Sequence, residues 1–229
     1  MGMVHLGAPF DIIPNLANLC GIRAFVETGT LFGGTARMAA HHFNAVYTIE
    51  RSESLYQKHH QSLRATGKIE PLFGDSRTIL PDLVSRLENQ PAMFWLDGHW
   101  SGGETAGEKD ECPLLTELQI LRQRRGDIIL IDDARLFLSA PAAPHDPSQW
   151  PTLMEISREL DQSPSHPFVQ IIDDVIFVVP PREDVKKAVI EYGRKRANAF
   201  WAAYEKGRPK RSLARKVVSR LAKMAPPRE

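Results

Sequence analysis

Three aspartates stand where short apolar runs end. Asp97 closes AMFWLDG (92–98), and Asp132 and Asp133 close DIILIDD (127–133). If those runs are neighbouring strands, three carboxylates meet on one rim, where each raises the pKa of the others until a cation neutralises them. Hard oxygen donors of this kind suit Mg²⁺, Mn²⁺ or Ca²⁺ better than zinc. The competing use is structural: one member of the pair caps a helix or pairs with Arg135, leaving too few ligands. Two residues beyond Asp97, in LDGHWSGGETAGEKDE (96–111), comes His99. Histidine titrates near neutrality, so this position can take a hydroxyl proton, ligate the same ion, or be a plain loop residue. Trp100 is a wall for a sugar or aromatic ring, or packs beneath the loop. His41, His42, His59 and His60 fall in helical patterns and read as surface residues. Of His145 and His166, both in Pro-flanked loops, only His145 is placed to visit such a site.

A second group surrounds a glycine turn, AFVETGTLFGGT (24–35). A Walker loop requires Lys where Thr35 stands, and the dinucleotide fingerprint requires Gly where Leu31 stands. The Walker reading therefore fails, and the case for NAD or FAD is weakened. Glu27 and Glu50 end the first two apolar runs, where an acid accepts hydrogen bonds from ribose hydroxyls. Asp75, in FGDS, is placed with Ser76 to bracket an adenine edge. Together these are parts of an adenosine site that carries an amino-acid sulfonium in place of phosphates. Acids at strand ends also cap the following helix, and Asp75 is well placed to do so.

Alternating elements must deliver these residues to one end of a sheet. Strand-like runs lie at 24–28, 45–50, 69–75, 92–98 and 127–133, and helical patterns at 34–42, 52–65, 77–88 and 113–124, the last opening at Pro113. Repeated βα units predict an α/β fold with helices on both faces of a parallel sheet. After the Pro-rich APAAPHDPSQWP (140–151) come a helix at 152–161 and two runs, FVQIID (168–173) and VIFVVPP (175–181), that read as an antiparallel hairpin. The whole is a Rossmann-like, doubly wound, mostly parallel seven-stranded sheet. A further helix is predicted over 183–204.

A chain of 229 residues with 42% hydrophobic residues suits one α/β core. Its net charge of +1 hides an asymmetry: residues 206–229 hold nine Lys/Arg and one Glu, leaving the remainder at −7. Nucleic acid is thus not expected on the body. The tail places Leu213, Val217, Leu221 and Met224 among cations and is a candidate to touch an acidic partner, anionic lipid or a second subunit of a homo-oligomer. Cys20 and Cys112 form no CxxC pair, and neither a secretory signal nor a membrane-length apolar run occurs, so a reduced cytoplasm is expected.

VETGTLFGGT, YTIE, FGDS and FWLDG, in that order, resemble the motifs of class I S-adenosylmethionine (SAM)-dependent methyltransferases over residues 24–181. The ETG…GG form is similar to that of metal-dependent O-methyltransferases of the macrocin and cephalosporin-cluster type, although Leu31 replaces a usual Gly. The resemblance implies SAM held by Glu27, Gly29, Thr30, Gly33, Glu50, Asp75 and Ser76. It implies a divalent ion, Mg²⁺ or else Mn²⁺ or Ca²⁺, on Asp97, Asp132 and Asp133. Asp97 and His99 would serve catalysis, with methyl transfer to a small-molecule hydroxyl of sugar or diol type. The implied organisation is an N-terminal segment (1–23), the SAM-binding domain (24–181), a C-terminal helix (182–205) and a basic tail (206–229). Two other functions use some of the same residues: a metal-dependent hydrolase built on Asp97, His99, Asp132 and Asp133, and a binding protein of the SAM fold without chemistry.

Overall fold

Apolar runs without polar alternation belong in the middle of a sheet, where helices cover both faces. The computed structural model, which describes residues 7–139 and 141–207, places them there. β1 (Ala24–Thr28), β2 (Ala45–Glu50), β3 (Ile69–Phe73), β4 (Ala92–Leu96) and β5 (Ile128–Ile131) are parallel; β6 (Phe168–Ile172) and β7 (Val175–Val179) form an antiparallel hairpin on β5. The order is β3-β2-β1-β4-β5-β7-β6. The expected seven-stranded, doubly wound sheet with a reversed terminal pair is the one observed.

One face is covered by α1 (Ile13–Cys20), α2 (Gly34–Ala39), α3 (Glu53–Arg64) and the start of α8 (Glu183–Gly207), whose Leu16, Ala36, Leu63 and Val185 pack with Phe25 and Trp95. The other carries α4 (Ser76–Leu87), α5 (Leu114–Leu121), the short α6 (Ala134–Leu138) and α7 (Leu153–Asp161), whose Leu80, Leu118, Phe137 and Ile156 pack with Val26 and Phe94. All five β4 residues are buried. Emptying the Trp95 position to Ala costs about 3–5 kcal/mol on the usual scale for buried aromatics.

Capping residues set where helices begin. Ser52 opens α3, Asp75 opens α4, and Thr152 with Glu155 forms a reciprocal capping box on α7. Helix α1 lies in the segment for which the sequence pattern assigned no element. Its apolar face is only two turns long, and burial of Ile13, Leu16 and Ala17 against the sheet supplies what isolated periodicity does not. The predicted helix at 183–204 runs to Gly207, and the expected tail lies, from residue 208, outside the described residues. The chain divides into two units between Gly193 and Arg194. No described helix is long and apolar enough to cross a membrane.

Candidate active site

Strand register aligns the acids. β1 pairs with β2 and β4 so that Thr28 lies beside Ile49 and Leu96, and β4 pairs with β5 so that Leu96 lies beside Ile131. Glu50, Asp97 and Asp132 thereby leave the sheet at the same carboxyl-terminal rim. This is the switch point between β1 and β4, where ligands bind in open α/β sheets. A cleft opens there, walled by Gly29, Leu31, Glu50, Arg51, Gly74, Asp75, Ser76, Asp97, Gly98 and His99 among others.

The glycine turn forms one wall. Gly29 has φ +85°, and a Cβ on it would sit 2.1 Å from the carbonyl oxygen of Asp97, so only glycine fits between β1 and β4. Leu31, at φ 48°, lines the cleft and donates its N–H to Glu50 Oε2 at 2.9 Å. Ser52 N–H donates to Glu50 Oε1 at 2.7 Å. These donors orient the carboxylate and leave it acceptor capacity for a ligand hydroxyl. Burial raises the Glu50 pKa, opposed by the backbone N–H groups of Ser52, Leu31 and Arg51.

Other expected SAM contacts sit elsewhere. Thr30 turns inward, its hydroxyl 2.6 Å from that of Thr48, and Gly33 at φ +73° lies against Leu63 where α2 begins. Glu27 is off the cleft wall and buried beneath the turn, accepting from Thr48 Oγ1 at 2.5 Å. Its carboxyl is pushed up to about 8, by burial first, with Thr48 and Thr35 opposing and Glu50 adding repulsion. Asp75 and Ser76 do line the cleft, but both Asp75 oxygens are taken by the Arg77 guanidinium, at 2.9 and 2.6 Å, besides the cap to Arg77 N–H. Arg77 holds the Asp75 carboxyl below the usual range.

The aspartates and His99 form the opposite wall. Asp97 is driven well above its ordinary value by burial and by repulsion from Asp132, Asp133 and Glu27. Asp132 is raised to about 6 by burial and by Asp133. Strand alternation alone would aim Asp132 and Asp133 at opposite faces. Asp133, at φ 56°, breaks the alternation as β5 ends. His99 lies between the carboxylates, Nε2 3.1 Å from Asp133 Oδ2 and Nδ1 3.5 Å from Asp97 Oδ1. Arg135 adds a 2.7 Å bond to Asp133. Burial raises Asp133, but the His99 and Arg135 bonds outweigh it and leave the group below its ordinary value. Arg135 is itself tied to buried Asp174 at the β6–β7 turn. The three acids expected as metal ligands therefore converge, with an imidazole in the gap between two of them. Among the described residues, no group of three or more His, Cys, Asp or Glu side chains is arranged to hold an ion.

Two loops shape the remaining sides, with residues that no motif announced. Ser101, Thr105 and Ala106 line the cleft from the loop after β4. That loop is held by Ser52 to the Glu104 carbonyl (2.9 Å), Lys58 to the Glu104 carboxylate (2.6 Å) and Arg77 to Asp110. Buried Glu111 joins it to the loop after α6, accepting from Trp150 Nε1 (2.6 Å), His145 Nδ1 (2.8 Å) and Asp146 N (2.8 Å). Burial raises Glu111, but these donors together hold it below its usual value. Trp100 is buried edge-on to His145, and Trp150 contacts His99. The partners of Glu111 lie 34 to 39 residues away, so no local sequence signal announced this clasp.

No family model matches the chain, and no curated protein does. Solved structures do. The O-methyltransferase TomG of tomaymycin synthesis from Streptomyces achromogenes, in complex with SAM, is 21% identical, with 77% of this chain and 82% of that chain covered and a TM-score of 0.50. A proposed caffeoyl-CoA O-methyltransferase from Staphylococcus aureus is 14% identical, covering 77% and 86%, and a proposed O-methyltransferase from Klebsiella pneumoniae is 14% identical, covering 79% and 84%; both have a TM-score of 0.50. These likenesses establish the fold, that of class I SAM-dependent methyltransferases.

Proposed function

We propose that this chain is an enzyme that transfers the methyl group of SAM to a hydroxyl oxygen of a small molecule. The supporting observation is Glu50: its oriented carboxylate stands on the cleft wall, across β1 from His99 and the aspartates, in a methyltransferase fold. Bound there, SAM supplies a methyl group on a sulfonium that departs as a neutral thioether. The protein's work is alignment, which is worth several kcal/mol of barrier when donor and acceptor are held in line. Glu50 orients the nucleoside, Leu31 and Gly29 shape the turn around it, and the loop carrying Ser101 and Thr105 limits water. His99 donates from Nε2 to Asp133, which leaves Nδ1, 3.5 Å from Asp97, as the nitrogen that takes the proton of the acceptor hydroxyl.

A divalent ion on Asp97, Asp132 and Asp133 is the finer form of this reading. With the imidazole between Asp97 and Asp133, and Arg135 on Asp133, the residues as arranged do not fit it. The two cysteines, both free, accord with a cytoplasmic setting.

Calorimetry with SAM, and separately with S-adenosylhomocysteine, in EDTA and in Mg²⁺, tests the proposal. Binding of both in EDTA is expected. Metal binding without nucleotide binding would favour a hydrolase instead and sink the proposal. Transfer of labelled methyl to a panel of diols and sugars then separates an enzyme from a binding protein. His99→Asn should lower turnover by about 10²–10⁴-fold with SAM affinity kept. An absolute requirement for Mg²⁺ would replace the imidazole with the metal as the agent that prepares the hydroxyl.

A further inference from the structure

The boundary between the two units is also a boundary in charge. Residues 194–229 carry twelve Lys/Arg and two Glu, a net of +10, whereas residues 1–193 carry seventeen basic and twenty-six acidic residues, a net of −9. Within the described part of the second unit, Phe200, Trp201 and Tyr204 are 40%, 59% and 50% exposed on one helix. Their spacing, with Ala197 one turn before, places them in a single stripe on α8, and Arg194 and Arg196 flank that stripe on either side. Trp201 touches both aromatic neighbours edge-on, with ring centroids 5.7 Å apart in each pair.

We propose that the end of α8 lies on an anionic lipid surface, with Phe200, Trp201 and Tyr204 entering the headgroup region and the neighbouring Lys and Arg meeting lipid phosphates. Three features favour a bilayer. Tryptophan and tyrosine are the residues that settle at membrane interfaces, where one edge of the ring is apolar and the other wet. The rings pack against one another as one continuous patch, whereas nucleic acid requires separate platforms on which single bases stack. Another 22 residues, 208–229, follow the described helix; they hold eight of the cations and repeat apolar residues at Leu213, Val217, Leu221 and Met224. An aromatic face joined to dense positive charge is the composition of a segment that lies on a membrane. No described helix is long and apolar enough to cross a membrane.

The full-length protein should co-sediment with phosphatidylcholine vesicles carrying roughly one-third phosphatidylglycerol, and not with pure phosphatidylcholine. Binding should weaken as salt rises. Trp95, Trp100 and Trp150 are buried, so a blue shift of tryptophan emission on vesicle addition reports Trp201. Trp201→Phe should remove the shift while sedimentation persists. The triple variant Phe200→Ser, Trp201→Ser, Tyr204→Ser should lower partition by about tenfold or more, with circular dichroism confirming the fold. Equal sedimentation with neutral vesicles overturns the proposal, as does unchanged partition of the triple variant or an emission maximum that stays put in the wild type. Protection of the tryptophan by RNA, or dimerisation through this face without lipid binding, assigns the patch to another partner and also overturns it.

Discussion

Glu27→Gln isolates the energetic consequence of placing a carboxyl beneath the turn. Glu27 is 1% exposed, and its pKa rises from 4.5 to about 8 because burial outweighs its hydrogen bonds to Thr48 and Thr35. Between those values the folded protein keeps a proton that the unfolded chain has released. Raising pH therefore favours the unfolded chain, at about 1.4 kcal/mol per pH unit across the window. The native glutamate costs about 3 kcal/mol at pH 7 by this linkage, and a little over 4 kcal/mol at pH 8. Glutamine has the same shape and no proton to lose. Against wild type, the variant should gain roughly 3 kcal/mol between pH 5 and pH 8. Urea unfolding of the ligand-free proteins at several pH values, extrapolated linearly to water, measures that difference. A stability difference that stays constant with pH means that Glu27 is ionised in the fold and the account of the turn is wrong.

Three other perturbations probe the site. Glu50→Ala should weaken SAM binding by about tenfold to a hundredfold, the worth of a charged hydrogen bond, and an unchanged dissociation constant in calorimetry rejects Glu50 as the nucleoside anchor. Gly29→Ala should cost about 3–5 kcal/mol, because its Cβ meets Asp97 backbone, while Gly34→Ala, with open space around it, should be neutral or stabilising by up to about 1 kcal/mol; thermal melts of the pair test the close approach of β1 and β4. Glu111→Ala strands the donors of Trp150, His145 and Asp146 and should cost about 2–4 kcal/mol, with faster amide exchange in 141–151. Since the fold holds Glu111 below its usual value, its contribution is present above the unfolded pKa and fades as pH falls through the folded one. A melting point that does not change, or unaltered exchange in that loop, contradicts the clasp.

Much of the architecture was written in local pattern. Five apolar runs with acids or glycines near their ends, separated by helical periods, required a parallel sheet, and two runs divided by a tight turn required a hairpin. The acids also had to gather at one rim, because every parallel strand ends on the same side. What each acid does there was a tertiary decision. Glu27 and Glu50 look equivalent in VET and TIE, yet pairing of Glu27 with Thr48 turns one carboxyl under the glycine turn, while Leu31 and Ser52 hold the other on the cleft wall. Asp75 is claimed by Arg77, and Asp133 leaves strand alternation to meet His99 and Arg135. Glu111 found its partners more than 30 residues away, in a loop whose composition announced only a turn. Periodicity and end residues specify where an element stops. The direction of a side chain and its partners depend on register, local φ and loops brought together by packing, and short-range spacing carries no record of those.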